Sequence, residues 1–240
     1  MKWVKDKTGR FAQRPHYLAE ELDQECEHII LSFLRDRHGQ ASFPVATDDL
    51  TVLIESAVED LDLYADLSQH DGDIEGITDF FPGKRPKVQI SRHLSEAPNL
   101  ENRLRTTLTH EYAHVRFHGF MFEIQAATLP LFSASPQPYS SKCKRENIVN
   151  AGQADWMEWQ AGYSCGAFLI PIGEFRQVVK AFMKENDVAA SRLGMDSPEG
   201  QGLISRTATA FRVSKDAARV RLLQKGVLVE DGRMLGKGLF

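Results

Sequence analysis

His110-Glu111-Tyr112-Ala113-His114 constrains this chain more than any other stretch, because it sets two imidazoles and a carboxylate on one side of a single segment. Residues four apart on an α-helix differ by only about 40° around the axis, so His110 and His114 can hold one metal ion between them. Glu111 lies at the edge of that face. It can reach a water beside the ion without taking a coordination position, as the H-E-x-x-H zinc-hydrolase motif requires. Leu100, Leu104, Leu108, Tyr112 and Val115 recur at steps of three and four, which predicts that the same helix seats itself in a core. With Asn99 as N-cap after Pro98 and Gly119 as the stop, this helix is expected over about residues 100 to 118. His118 then stands about 12 Å along the axis from His110, too far to share the ion. It is read as a group behind the site or facing substrate, or as a plain helix-end histidine.

Catalytic zinc sites use three protein ligands and leave a fourth position for water. Glu158 is the candidate for the third, in a segment running from Asp155 to Pro171 that reads as a helix closed by the proline. Asp155, one turn earlier, is the fallback. Ala161, Gly162 and Cys165 share the face of Glu158 and give it little bulk. Glycine in a helix interior costs about 1 kcal/mol relative to alanine, so Gly162 and Gly166 predict that another backbone, that of the His110 helix, approaches closely.

These two segments resemble the ImmA/IrrE-type zinc metallopeptidases. That family's H-E-x-x-H helix is often preceded by Arg and Thr, as in Arg105-Thr106-Thr107-Leu108-Thr109 here, and followed by a further His, here His118. Its second pattern, E-x-x-A-N-x-F-A-A-x-L-L-M-P, is matched in spacing by Glu158, Ala161, Leu169 and Pro171, while Gly162, Ser164 and Cys165 depart from its Asn, Phe and Ala. The likeness extends over roughly residues 45 to 226. It implies one Zn2+ held by His110, His114 and Glu158, with Glu111 as the catalytic base of a zinc endopeptidase. It also implies a regulatory protease whose substrate is a separate helix-turn-helix repressor. Tyr163, Tyr112 and His118 are the side chains considered for stabilising an oxyanion. Ser133-Ala134-Ser135-Pro136-Gln137-Pro138, between the two motifs, reads as a surface loop longer than the family usually carries.

The 240 residues suffice for a large core. No apolar run is long enough to span a bilayer, and Met1-Lys2-Trp3-Val4-Lys5-Asp6 lacks the hydrophobic stretch of a secretory signal, so a cytoplasmic location and no membrane partner are expected. Three widely spaced cysteines, Cys26, Cys143 and Cys165, fit reduced thiols better than a disulfide framework.

Around the motifs the organisation reads as α+β: a zincin-like peptidase core with a small sheet and an active-site helix, plus a C-terminal helix-turn-helix-like appendage. Residues 1–44 hold a basic segment and an amphipathic helix, 45–180 the core, and 181–240 the appendage. Lys7-Thr8-Gly9-Arg10 is either a hairpin turn or part of a mobile basic tail. Leu22, Cys26, Ile29, Ile30, Phe33 and Leu34 share a helical face closed by Gly39, and Asp48 or Asp49 is expected to cap the helix of Leu50, Leu53, Ile54 and Ala57. Residues 76–81 and 87–91 read as strands about a turn at 82–86. The second of these is either an edge strand that holds an extended substrate or an interior strand.

Ser197-Pro198-Glu199 starts one C-terminal helix, and Ser214 caps another ending at Gly226. Between residues 200 and 226, Arg206, Arg212, Lys215, Arg219, Arg221 and Lys225 face one acid, Asp216. A phosphate contact is conceivable there, although a net charge of −4 gives the chain no general attraction to nucleic acid. The alternative function is therefore a DNA- or protein-binding regulatory module with a metal site and little turnover, in which any DNA binding is weak.

Overall fold

The computed structural model describes residues 1–70, 73–128, 139–144 and 155–230. The loop expected over 133–138 lies outside them. The chain opens with an antiparallel hairpin of β1 (Lys2–Lys5) and β2 (Gln13–His16). The Asp6 carboxylate holds its turn by accepting from the backbone N–H groups of Thr8 at 2.9 Å and Phe11 at 3.0 Å, so the basic segment is an ordered ribbon.

Helix α1 (Ala19–His38) follows, and Gly39 closes it at φ 78°. Leu22, Cys26, Ile30 and Leu34 are buried along one face, whereas Ile29 and Phe33 are only partly covered. Helix α2 spans Thr47–Ala57 and starts after Ala46, ahead of the expected Asp48 or Asp49 cap. Asp49 is drawn elsewhere: its carboxylate meets Arg37 at 2.9 Å and His38 at 2.8 Å and ties α2 to the end of α1.

A mixed sheet has the order β3-β5-β4-β6, made of β3 (Asp60–Ala65), β4 (Ile74–Phe80), β5 (Lys87–Ser91) and β6 (Tyr139–Lys144). β3 runs parallel to β5, and the other pairs are antiparallel. β5 is therefore interior, with both edges hydrogen-bonded, and cannot accept an added strand. Among the described residues, the sheet edge beside the H-E-x-x-H helix is β6.

After the short α3 (Arg92–Glu96) and a 3-10 turn at Pro98–Leu100, α4 runs from Glu101 to Thr128. Asn99 thus sits within the turn that precedes the helix, and Gly119 does not end it. Met121 and Phe122, beyond the glycine, are buried against Phe11, Phe80 and Trp156. Burying two such side chains gains about 1.5–3 kcal/mol each, more than the roughly 1 kcal/mol that a helical glycine costs.

Helix α5 (Trp156–Leu169) has Asp155 as its cap, accepting from Met157 N at 3.0 Å, and is followed by α6 (Ile172–Glu185). Next come α7 (Pro198–Phe211), capped by Ser197, and α8 (Lys215–Gln224), capped by Ser214. The short strands β7 (Leu193–Gly194) and β8 (Leu228–Val229) pair in parallel beside them.

One hydrophobic cluster runs from Leu22 and Ile30 of α1 through Leu108, Tyr112 and Phe168 to Leu203 and Leu222 of the last two helices. Buried Arg105 of α4 adds polar ties, donating to Val45 O and, at 3.3 and 3.2 Å, to the carbonyls of Phe211 and Arg212 that end α7. Among the described residues no helix is long and apolar enough to cross a membrane.

Candidate metal centre

Helix α4 presents His110, Glu111, His114 and His118 on a fully buried face, packed between the sheet and α5. Glu158 enters from the first turn of α5. His110 Nε2 lies 3.1 Å from His114 Nε2, and the two nitrogens lie 3.3 Å from Glu158 Oε2 and Oε1 respectively. Tetrahedral zinc with bonds of about 2.0–2.2 Å has ligand-to-ligand edges of roughly 3.3–3.6 Å, so these separations are close to what one zinc ion needs.

Buried polar atoms support the fit. Glu111 Oε1 has no hydrogen-bond partner and Glu158 Oε2 has only the long 3.3 Å contact with His110 Nε2, which is costly unless a cation or water engages the group. His110, His114 and Glu158 form a group able to hold a metal ion. Asp155 is absent from it, because its carboxylate is taken up in capping α5 and in an ion pair with Arg10 at 3.0 Å.

The electrostatics separate the two glutamates. Burial alone raises the Glu158 carboxyl, yet the charge on His114 and hydrogen bonds from both imidazoles outweigh it and hold Glu158 far below the usual carboxylate range. Burial of His114 would favour its neutral form, and the Glu158 carboxylate overrides that and raises its pKa. The centre therefore attracts positive charge. Glu111 moves the other way: burial pushes its carboxyl up, against the opposing pull of His110, His114 and Thr78. Two neighbouring carboxyls with pKa values driven apart can serve as a permanent anion and a proton carrier.

Groups outside the two motifs position these side chains. Thr78 of β4 donates to Glu111 Oε2 at 2.6 Å, and Ser141 of β6 donates to Glu158 Oε1 at 2.9 Å. Gly76 is matched to Glu111, since a Cβ there would lie 2.5 Å from Oε1. Behind His114 stands His118, whose other nitrogen meets Gln160. An isolated glycine inside a strand pattern was the available signal for Gly76. Nothing in the sequence pointed to Ser141 or Gln160.

A second group, His110, Glu111 and Cys143, also brings possible ligand atoms within 4.8 Å of one another. Burial, then the Glu111 and Glu158 carboxylates, push the Cys143 thiol of the metal-free protein well above its ordinary pKa. Cys26, Cys143 and Cys165 are free and buried.

The oxyanion candidates lie elsewhere. The Tyr163 hydroxyl donates to Asp23 at 3.1 Å, Tyr112 packs on Phe168 in the core, and His118 is shielded by His114. Gly166 faces a side chain rather than α4: a Cβ there would be 3.9 Å from Arg221 Cδ, an ordinary contact. No protein-family model matches this chain, and no curated protein matches it.

Proposed function

We propose that this protein is a zinc-dependent endopeptidase with a zincin-like core. One observation carries the reading: the Nε2 atoms of His110 and His114 lie 3.1 Å apart and each meets one oxygen of the Glu158 carboxylate at 3.3 Å, and beside them Glu111 is held by one oxygen while the other has no hydrogen-bond partner. Zinc, when bound, supplies a Lewis acid that acidifies water to a pKa of about 7 and polarises a peptide carbonyl. Glu111 takes the water's proton at Oε1 and returns it to the leaving amine, a role suited to a carboxyl whose pKa burial has raised. Thr78 keeps that carboxylate from rotating. Glu158, ionised throughout, supplies the negative charge that two neutral imidazoles lack.

The resemblance of the two motif segments to ImmA/IrrE-type peptidases supports a regulatory protease in the cytoplasm, with a separate helix-turn-helix repressor as its protein substrate. On this reading α7 and α8 are a helix-turn-helix-like element that serves contacts. Purified protein should hold one zinc and cleave the repressor encoded beside it. Glu111→Gln should stay folded, keep zinc and lose cleavage. A DNA- or protein-binding module with little turnover would instead bind its partner and cut nothing, with or without Glu111.

A further inference from the structure

A cavity of about 330 Å³ lies between α4, α5 and α8, walled by Arg103 and Thr106, by Gly162 and Cys165, and by Ala217 and Val220. Thr106 is one turn before His110 and Gly162 one turn after Glu158, each about 6 Å along its helix axis. The cavity therefore continues, on both helices, the face that carries the candidate metal ligands. Its α5 wall has almost no side chain. Gly162 and Gly166 both line it, and Gly166 has room for a Cβ against Arg221, so close packing does not demand a glycine there. Two helical glycines, each costing about 1 kcal/mol, supply open space.

Most of the exposed lining is apolar, and the charged side chains in it are engaged: Glu75 with Arg103, and Asp216, which is largely exposed, with Arg219 at 3.7 Å. A charged ligand would have to compete with one of these pairs. At the lower end of the usual 300–1,000 Å³ range of about that size for ligand pockets, the cavity suits one large side chain with the backbone that bears it.

We infer that this cavity receives an apolar substrate side chain next to the bond that is cut, and that α8 thereby sets the sequence preference. The inference rests on the zinc-peptidase reading and adds to it the class of substrate. It also gives the C-terminal helix pair a part in recognition through Ala217 and Val220.

The test uses full-length zinc-loaded protein and three peptide hydroxamates that differ only in one side chain: methyl, isobutyl or benzyl. Calorimetry should find the isobutyl and benzyl compounds bound at least about tenfold tighter than the methyl one, as burial of several extra carbons requires. Gly162→Leu and, from the opposite wall, Ala217→Met should each erase that preference while zinc content stays at one per chain. Equal binding of all three hydroxamates overturns the inference and leaves the zinc site standing. So does a preference that survives both substitutions. If the protein holds no zinc, or binds none of the three, the peptidase reading fails and the cavity's role fails with it.

Discussion

His118 Nδ1 lies 3.0 Å from His114 Nδ1, and His118 Nε2 lies 3.1 Å from Gln160 Oε1. The proton order along this chain follows from its far end. Gln160 Nε2 donates to Pro15 O at 3.0 Å, and a carbonyl can only accept, so the amide oxygen faces His118. His118 Nε2 then carries a hydrogen and its Nδ1 accepts from His114 Nδ1–H, so that with zinc bound and His114 neutral the Nε2 lone pair would face the metal. Burial and the nearby His114 hold the His118 pKa well below its ordinary value, in keeping with a neutral ring. His118→Phe should weaken zinc binding by about 10–100-fold in a competitive chelator titration, with the fold intact. Unchanged zinc affinity would remove His118 from any role in setting the tautomer.

The third ligand can be tested against its neighbour. Glu158→Ala should abolish stoichiometric zinc, because a site with two protein ligands loses most of its affinity. Asp155→Ala should keep the zinc while costing about 1 kcal/mol of stability through the lost α5 cap. Metal analysis of the two variants decides, and zinc retained by the first but lost by the second would reverse the assignment.

Gly76 and Glu111 make a second test of positioning. In Gly76→Ala the new methyl displaces the carboxylate, since the built Cβ falls 2.5 Å from Oε1 and 2.8 Å from Cγ. Zinc should remain, and kcat should fall by about 100-fold, the usual effect of a misplacement near 1 Å. Full activity in Gly76→Ala would mean that Glu111 acts from another position.

At the far side of α5, Arg221 meets Asp23 at 2.7 Å and Lys225 meets it at 2.6 Å, with Arg221 1 % and Asp23 3 % exposed. Asp23→Ala leaves a buried guanidinium uncompensated and should cost about 3–5 kcal/mol in denaturant unfolding. Burial lowers the Lys225 pKa, but hydrogen bonding and charge from Asp23 outweigh it, and the folded value is raised. For a raised base the stabilisation is complete below the unfolded pKa of about 10.4 and disappears as pH climbs through the folded value. Stability curves of the parent and Lys225→Met should therefore differ at neutral pH and converge once the pH has passed the raised folded value. Parallel curves across that range would show that the ammonium contributes nothing.

Several of these relationships were legible in the sequence, and the reasons differ by residue. The i, i+4 histidines, the face of Leu22, Cys26 and Ile30, and the serine caps at 197 and 214 are local signals, each completed within one or two turns. β3 and β6 were missed because Asp60-Leu61-Asp62 and Ser140-Ser141-Lys142 are too polar to read as strands. What makes them strands is pairing with β5 and β4, a long-range matter. Gly119 was misread for a similar reason, since the residues that carry α4 onward are held by Phe11, Phe80 and Trp156. The support of Glu111 by Thr78, of Glu158 by Ser141 and of His118 by Gln160 joins segments 17 to 42 residues apart, beyond any periodicity.

The basic residues of α7 and α8 remain the test between peptidase and DNA reader. Most of their charge is engaged within the protein: Arg221 and Lys225 with Asp23, Arg212 with Glu101 at 2.6 Å, Arg206 with Glu185 at 3.6 Å, and Arg219 with Asp216 at 3.7 Å. Exposed pairs of this kind are worth little to stability, but each offers a phosphate less net charge. The protein should bind duplex DNA weakly, with no preference among sequences and steep loss of affinity as salt rises. Replacing Arg212, Lys215 and Arg219 together by Ala should leave zinc content and cleavage of a short unstructured peptide within about twofold of the parent, because all three lie outside the metal centre. Nanomolar binding of one duplex in preference to others, abolished in the triple variant, would make direct DNA contact the leading function and reduce the metal to a structural role.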